Sequence, residues 1–224
     1  MHLHVPKLLK PELLKEIQTA LAAAAFTDGR KTAGPLAKEV KNNLQVDWER
    51  TPGRERLQGA VTAAITENPL VRSAVLPRKI LAPLFNKHGP GMGYGAHMDN
   101  PIHGGSALLR TDVSVTIFLS DPAAYQGGEL VMTTPLGEAK AKFPAGDAIF
   151  YPSNSLHRVE TVSAGERLAA VSWVQSMVAD PNRRELLHDV DAAYRQVASR
   201  DANSEEARLL LKTYGNLVRM WAET

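Results

Sequence analysis

The chain has 224 residues, enough for one ordinary domain with additions at its ends, and its 44% hydrophobic and 22% charged residues are the make-up of a globular protein. Its 26 cations and 24 anions leave a formal charge of only +2, which gives no ground for a nucleic-acid partner. With no cysteine, disulfides, thiolate zinc sites, iron–sulfur clusters and a thiol nucleophile are excluded.

The first sixteen residues, MHLHVPKLLKPELLKE, lack the apolar run and small-residue cleavage site of a signal peptide. No segment reaches the ~18 uninterrupted apolar residues of a membrane span, so a cytoplasmic protein without membrane contact is expected. PELLKEIQTALAAAAF (11–26) is rich in strong helix formers, with Leu13, Leu14, Ile17, Leu21 and Ala24 on one face and Pro11 suited to a first turn. Further helices are expected near 54–66 and, shorter, within 35–44. These make residues 1–78 a helical cover.

From 79 to 179 the hydrophobic period changes to two. KILAPLFNKH, DVSVTIFLSD, GELVMTT, EAKAKFP, DAIFYPS, HRVETV and RLAAVSWVQSM are short runs rich in Val, Ile, Phe and Thr, separated by the turn signals GPGMG, DPAAYQGG, TPLGE, PAGD, PSNS and SAGE. No helical pattern lies between them to make parallel crossovers, so the expectation is an all-β barrel or jelly roll. Helical texture returns after Asp180-Pro181, giving an extension over 180–224. Its Leu209, Leu210, Leu217, Val218 and Trp221 need a buried partner, through packing within the chain or a homodimer contact.

Chemistry concentrates in GYGAHMDNPIHGG (93–105). His97 and Asp99 are spaced i, i+2, so on a strand both point to one face while Met98 points away. Two ligands bind a metal weakly, and the third candidates are His103, in a loop-like PIHGG, and His157, opening the run HRVETV. An HxD upstream on a β fold favours His157. Two histidines and one carboxylate hold one face of an octahedral ion and leave three positions open, the arrangement of non-haem Fe(II) oxygenases. Zinc accepts the same set, and a hydrolase would then need a base such as Asp147 or Glu129. A binding module holding a metal without turnover is the third reading. Arg167 separates them. It opens the apolar run RLAAVSWV ten residues after His157, where a half-buried cation needs an anion, either a neighbouring Glu160 or Glu166 or the carboxylate of a co-substrate.

HMD, then GGEL, PAGDAIFYPSNSLHRV and an Arg ten residues beyond the distal His, together with RTDVSVTIFLSDPAAYQGGELV (110–131) and NLVRMWAE (216–223), resemble the Fe(II)/2-oxoglutarate-dependent dioxygenases. The closer resemblance is to the PKHD-type hydroxylases (the PiuC group), relatives of the prolyl 4-hydroxylases. It spans almost the whole chain. It implies a mainly β fold with helices, a double-stranded β-helix core flanked by N- and C-terminal helices. It also implies Fe(II) on His97, Asp99 and His157, Arg167 on the far carboxylate of 2-oxoglutarate, O2 as the oxidant and ascorbate as a reductant. Where prolyl hydroxylases carry a co-substrate tyrosine ahead of HxD, this chain offers His88 and Tyr94. Ser114 and Thr116, on one face of DVSVTIF, are expected to supply hydroxyls beside the co-substrate. The implied reaction is hydroxylation of an unactivated C–H, on a prolyl-like side chain of a protein or peptide or on a small molecule linked to iron acquisition.

Overall fold

The computed structural model describes residues 1–32, 34–103 and 108–223. The N-terminal part runs β1 (Leu3–Val5), α1 (Pro11–Ala22), β2 (Phe26–Asp28), α2 (Pro35–Val40), β3 (Lys41–Asn42), β4 (Leu44–Val46), α3 (Arg54–Glu67) and α4 (Pro69–Ala74). The β-rich middle opens with β5 (Pro77–Ile80), β6 (Leu84–His88), β7 (Gly93–His97), β8 (Ile102–His103), β9 (Leu109–Arg110) and β10 (Val113–Phe118). It continues through β11 (Tyr125–Gln126), β12 (Leu130–Thr134), β13 (Gly137–Ala141), β14 (Ala148–Pro152), β15 (His157–Val159), β16 (Ala164–Gly165) and β17 (Arg167–Ser176). The chain closes with α5 (Pro181–Ala198) and α6 (Glu205–Trp221).

Two antiparallel sheets face each other as a jelly roll. The main sheet has the order β1-β14-β10-β17-β6-β4-β2, with β5 on the far half of β17; the second has the order β13-β12-β15-β7-β3. Strands remote in sequence are therefore neighbours, and His157 pairs directly with His97.

Period-two alternation divides the main sheet into two faces. Val115, Ile117, Phe85, Ala170, Val174 and Phe150 point outward and pack against Ile17 and Leu21 of α1 and Leu57, Val61 and Ile65 of α3. At roughly 1.5–3 kcal/mol for each large side chain taken out of water, this layer is the main source of stability. Phe118, Ile149 and Tyr151 point inward and meet Leu130 and Met132 of the second sheet, closing one end of the barrel. The remaining inward residues line a cavity.

Helix starts follow local chemistry. Asn68 accepts from the N–H of Leu70 (3.0 Å) and Val71 (3.2 Å) ahead of Pro69, and Asp180 accepts from Asn182 (2.8 Å) ahead of Pro181. The C-terminal helices pack within the chain: Leu217, Val218 and Trp221 lie on a core of Leu76, Val178 and Leu187, while Leu209 is exposed. GGEL turns as expected, with Gly127 at φ 71° and Gly128 at φ 69°, where a Cβ on Gly127 would sit 2.1 Å from the Thr161 carbonyl oxygen.

The N-terminal part differs from an all-helical cover. β1, β2 and β4 extend the main sheet and β3 extends the second. Strands of two or three residues show no alternation long enough to be read, and their place is set by the edges they cover. KILAPLFNKH likewise divides into β5 and β6, which pair with different parts of β17.

Candidate active site

β7 ends at His97, so Asp99 lies just past the strand, with Met98 between them turned out and 60% exposed. His97 reaches the interior through a bulge. Val159 pairs with Tyr94 and His157 with His97, so one partner interval of two residues faces one of three. Tyr94 and His97 thus both face inward, stacked with ring centroids 3.6 Å apart.

The ligand atoms of His97, Asp99 and His157 all lie within 4.8 Å of one another. Nε2 of His97 is 4.0 Å from Asp99 Oδ1, and Nε2 of His157 is 3.9 Å from Asp99 Oδ2. Each imidazole donates Nδ1–H to a backbone carbonyl, His97 to Gly95 (2.8 Å) and His157 to Ser155 (2.9 Å). Those acceptors assign the tautomer and turn both Nε2 lone pairs toward the carboxylate. Burial, then the neighbouring His157, push His97 down to about 4, which keeps it neutral. On the other side of Asp99, the Ser114 hydroxyl donates to Oδ2 (2.5 Å) and lies 2.8 Å from the Ser153 hydroxyl. Two imidazole nitrogens and one oriented carboxylate suit a divalent first-row metal.

The triad opens into a cavity of about 800 Å³ including its mouth. Arg167, the first residue of β17, lines this cavity and is 2% exposed. Glu166 pairs instead with Lys87 (3.4 Å) and Glu160 with Arg158 (2.8 Å), so neither answers Arg167. Its guanidinium hydrogen-bonds the Tyr125 phenol, its Nε has no partner, and burial lowers its pKa. Among the described residues no carboxylate forms an ion pair with it. A buried cation left in this state is costly unless an anion arrives.

His88 sits directly across from Arg167 in the β6–β17 pairing. It is buried, both ring nitrogens lack partners among the described residues, and burial with Arg167 and Lys41 nearby pushes it down to about 2. Thr116 hydrogen-bonds the buried Tyr151 phenol. His103 lies apart from the triad, its ring 4.6 Å from that of Trp173 at the cavity wall. Residues 104–107, which follow His103, fall outside the described residues. Asp147 binds His4 (2.8 Å) and the Lys7 N–H (2.8 Å), and Glu129 lies 3.8 Å from Lys142. Both candidate bases for a hydrolase are thus engaged elsewhere.

Sequence reasoning missed Lys41, Asn43, Gln45 and Asn86, all buried in the cavity wall. The alternation Leu84-Asn86-His88 against buried Phe85 carried a signal for Asn86. The short segment around β3 and β4 carried none.

A jelly roll with two histidines and an aspartate at one end of its cavity and a buried, carboxylate-seeking arginine in the wall defines a non-haem iron, 2-oxo-acid oxygenase. The family description of the 2OG-Fe(II) oxygenase superfamily matches residues 83–175, and that of the PKHD-type hydroxylase C-terminal domain matches residues 182–223. A PKHD-type hydroxylase of Picosynechococcus sp. is 44% identical over 223 residues, covering the full length of both chains. The chain belongs to the PKHD-type hydroxylases, enzymes dependent on Fe(II) and 2-oxoglutarate with O2 as co-substrate. Among solved structures, a Trichoplax adhaerens prolyl hydroxylase in complex with a hypoxia inducible factor oxygen degradation domain peptide fragment is similar at a TM-score of 0.56 and 19% identity, over 77% of this chain and 82% of that one. HygX from Streptomyces hygroscopicus, with nickel, 2-oxoglutarate and hygromycin B bound, is similar at 0.55 and 12% identity, over 79% and 84%. These likenesses are of fold. No helix among the described residues is long and apolar enough to cross a membrane.

Proposed function

We propose that His97, Asp99 and His157 hold Fe(II), that Arg167 clamps the far carboxylate of 2-oxoglutarate, and that the enzyme hydroxylates an unactivated C–H of a prolyl-like side chain in a protein or peptide. The observation that carries this is Arg167, fully buried without a carboxylate partner among the described residues in the cavity that also contains the triad. Bound iron supplies the O2 chemistry, coupling decarboxylation of 2-oxoglutarate to succinate with hydroxylation of the substrate.

The chain's own residues do the rest. Gly95 and Ser155 carbonyls hold the two imidazoles in the binding tautomer, and Ser114 orients Asp99. Neutral His88, beside Arg167, offers a ring N–H to the same carboxylate, the part the co-substrate tyrosine plays in prolyl hydroxylases. Tyr94 buttresses His97 through its stacked ring. Thr116 reaches the co-substrate only through Tyr151, which its hydroxyl already contacts. The division into residues 1–78, 79–179 and 180–224 belongs to the same proposal and is supported by the spans of the two family matches.

The test is product analysis. Enzyme loaded with Fe(II), 2-oxoglutarate and ascorbate is offered proline-containing peptides and, separately, a panel of iron-chelating small molecules. The expected result is succinate release with one oxygen atom added to a prolyl residue. Oxygen added only to a small molecule would move the substrate to that class. No succinate from either panel would remove the hydroxylase assignment.

A further inference from the structure

Arg167 is held from one side. Among the described residues its guanidinium has one hydrogen-bonding partner, the Tyr125 phenol, and because Nε has none the bond is to a terminal nitrogen. Tyr125 is 4% exposed and does not line the cavity, so a molecule in the cavity meets Arg167 and not Tyr125. Burial raises Tyr125 above the ordinary tyrosine value. The partner is therefore a neutral phenol, whose oxygen accepts from the guanidinium and leaves its charge in place.

The phenol is itself fixed from several directions. β11 pairs with β16 and sets Tyr125 opposite Gly165, just ahead of Arg167 in the chain. The Lys142 ammonium donates to the Tyr125 carbonyl (2.9 Å) and lies 4.1 Å from the centroid of its ring. Gly128 lets the pair come together: a Cβ there would stand 3.0 Å from both Arg167 Cδ and Tyr125 Cε2. Phe118 adds a second ring, its centroid 5.9 Å from Arg167 Cζ. A guanidinium on a long side chain has many rotamers, and an aromatic face does not choose the direction of its N–H groups. The phenol does, by taking one terminal N–H and so setting where Nε–H and the remaining N–H groups point.

We propose that Tyr125 is a positioning residue that fixes the Arg167 guanidinium and thereby sets the length of the 2-oxo diacid the site accepts. The inference rests on the loading proposed above. The metal holds one end of the co-substrate and Arg167 the other, so the span between them acts as a ruler. One extra carbon carries the far carboxylate out of register with the N–H fork unless the guanidinium can follow it. With the phenol in place it cannot follow.

Anaerobic titration of Fe(II)-loaded protein with three acids tests this, read by the visible charge-transfer band of a chelated 2-oxo acid. The acids are 2-oxoglutarate, the one-carbon-longer 2-oxoadipate, and 2-oxobutyrate, which has no far carboxylate. The parent should bind 2-oxoglutarate about tenfold or more tightly than 2-oxoadipate. Tyr125→Phe, which keeps the ring and removes the hydroxyl, should weaken 2-oxoglutarate and cut that preference to about threefold or less. Its affinity for 2-oxobutyrate should stay within about twofold of the parent's, because the metal end is untouched. Thermal unfolding of the variant checks that it is folded. A preference that is absent from the parent or survives in Tyr125→Phe would overturn the proposal. Equal weakening of both diacids would overturn it too, assigning Tyr125 to general support of the site, and so would a changed affinity for 2-oxobutyrate. If the parent binds 2-oxoglutarate no better than 2-oxobutyrate, the Arg167 clamp falls first and this inference with it; if only the length preference fails to respond, the clamp stands.

Discussion

On the outer face of the main sheet, Phe85, Val115, Ile117, Ala170 and Val174 are packed against α1 and α3 with no polar atom among their side chains. On the inner face, the adjacent residues Asn86, Ser114, Thr116, Arg167 and His88 are just as buried, yet Asn86, Arg167 and His88 keep polar atoms without partners among the described residues. The two faces belong to the same strands and differ by one residue of register. The outer face meets its demands within the chain and stabilises the fold. The inner face leaves its demands to a ligand, and that deficit is what makes it a site.

Substitutions on the two faces should therefore separate stability from binding. The largest effect is expected from Phe85→Ala, which should lower unfolding free energy by about 3–5 kcal/mol in urea titration. It should leave 2-oxoglutarate affinity of the folded fraction unchanged. Arg167→Met should do the reverse. It removes a buried cation, so unliganded stability should hold or rise, while 2-oxoglutarate affinity measured by calorimetry falls about a hundredfold, as for the loss of a buried charge-assisted contact. A destabilised Arg167→Met with normal co-substrate binding would erase the contrast between the faces.

The smallest effect concerns pH. His88 is held neutral down to about 2, whereas in the unfolded chain it takes a proton near the ordinary histidine value. Falling pH thus favours the unfolded state, and stability is lost from about 6.5 downward. Replacing His88 with Gln should remove one proton from this dependence, a change of about 1.4 kcal/mol per pH unit between about pH 6 and 4 in denaturant titrations of the metal-free protein. An unchanged slope would mean that His88 is protonated in the fold.

The same contrast explains what was legible in the sequence. DVSVTIF and RLAAVSWV announce strands because six or more residues alternate between two faces, and Arg167 stands out because a cation breaks an apolar run. HxD with a distal His marks the proposed metal ligands, although the bulge that turns Tyr94 inward along with His97 has no sequence signature. Lys41 and Gln45 were illegible for a different reason. Their segment is too short to show a period, and only the closing of both sheet edges brings them to the cavity. In the C-terminal extension, Leu217, Val218 and Trp221 found their partner within the chain, while Leu209 did not.

The most direct test of the central claim is an anaerobic titration of metal-free protein with Fe(II) and then 2-oxoglutarate, followed by visible absorption. Chelation of the keto acid to ferrous iron gives a charge-transfer band. The parent and His103→Ala should develop it, and His157→Ala should not. No band in the parent, or a band that survives His157→Ala but not His103→Ala, would contradict the assignment of the inner face as the iron and 2-oxoglutarate site.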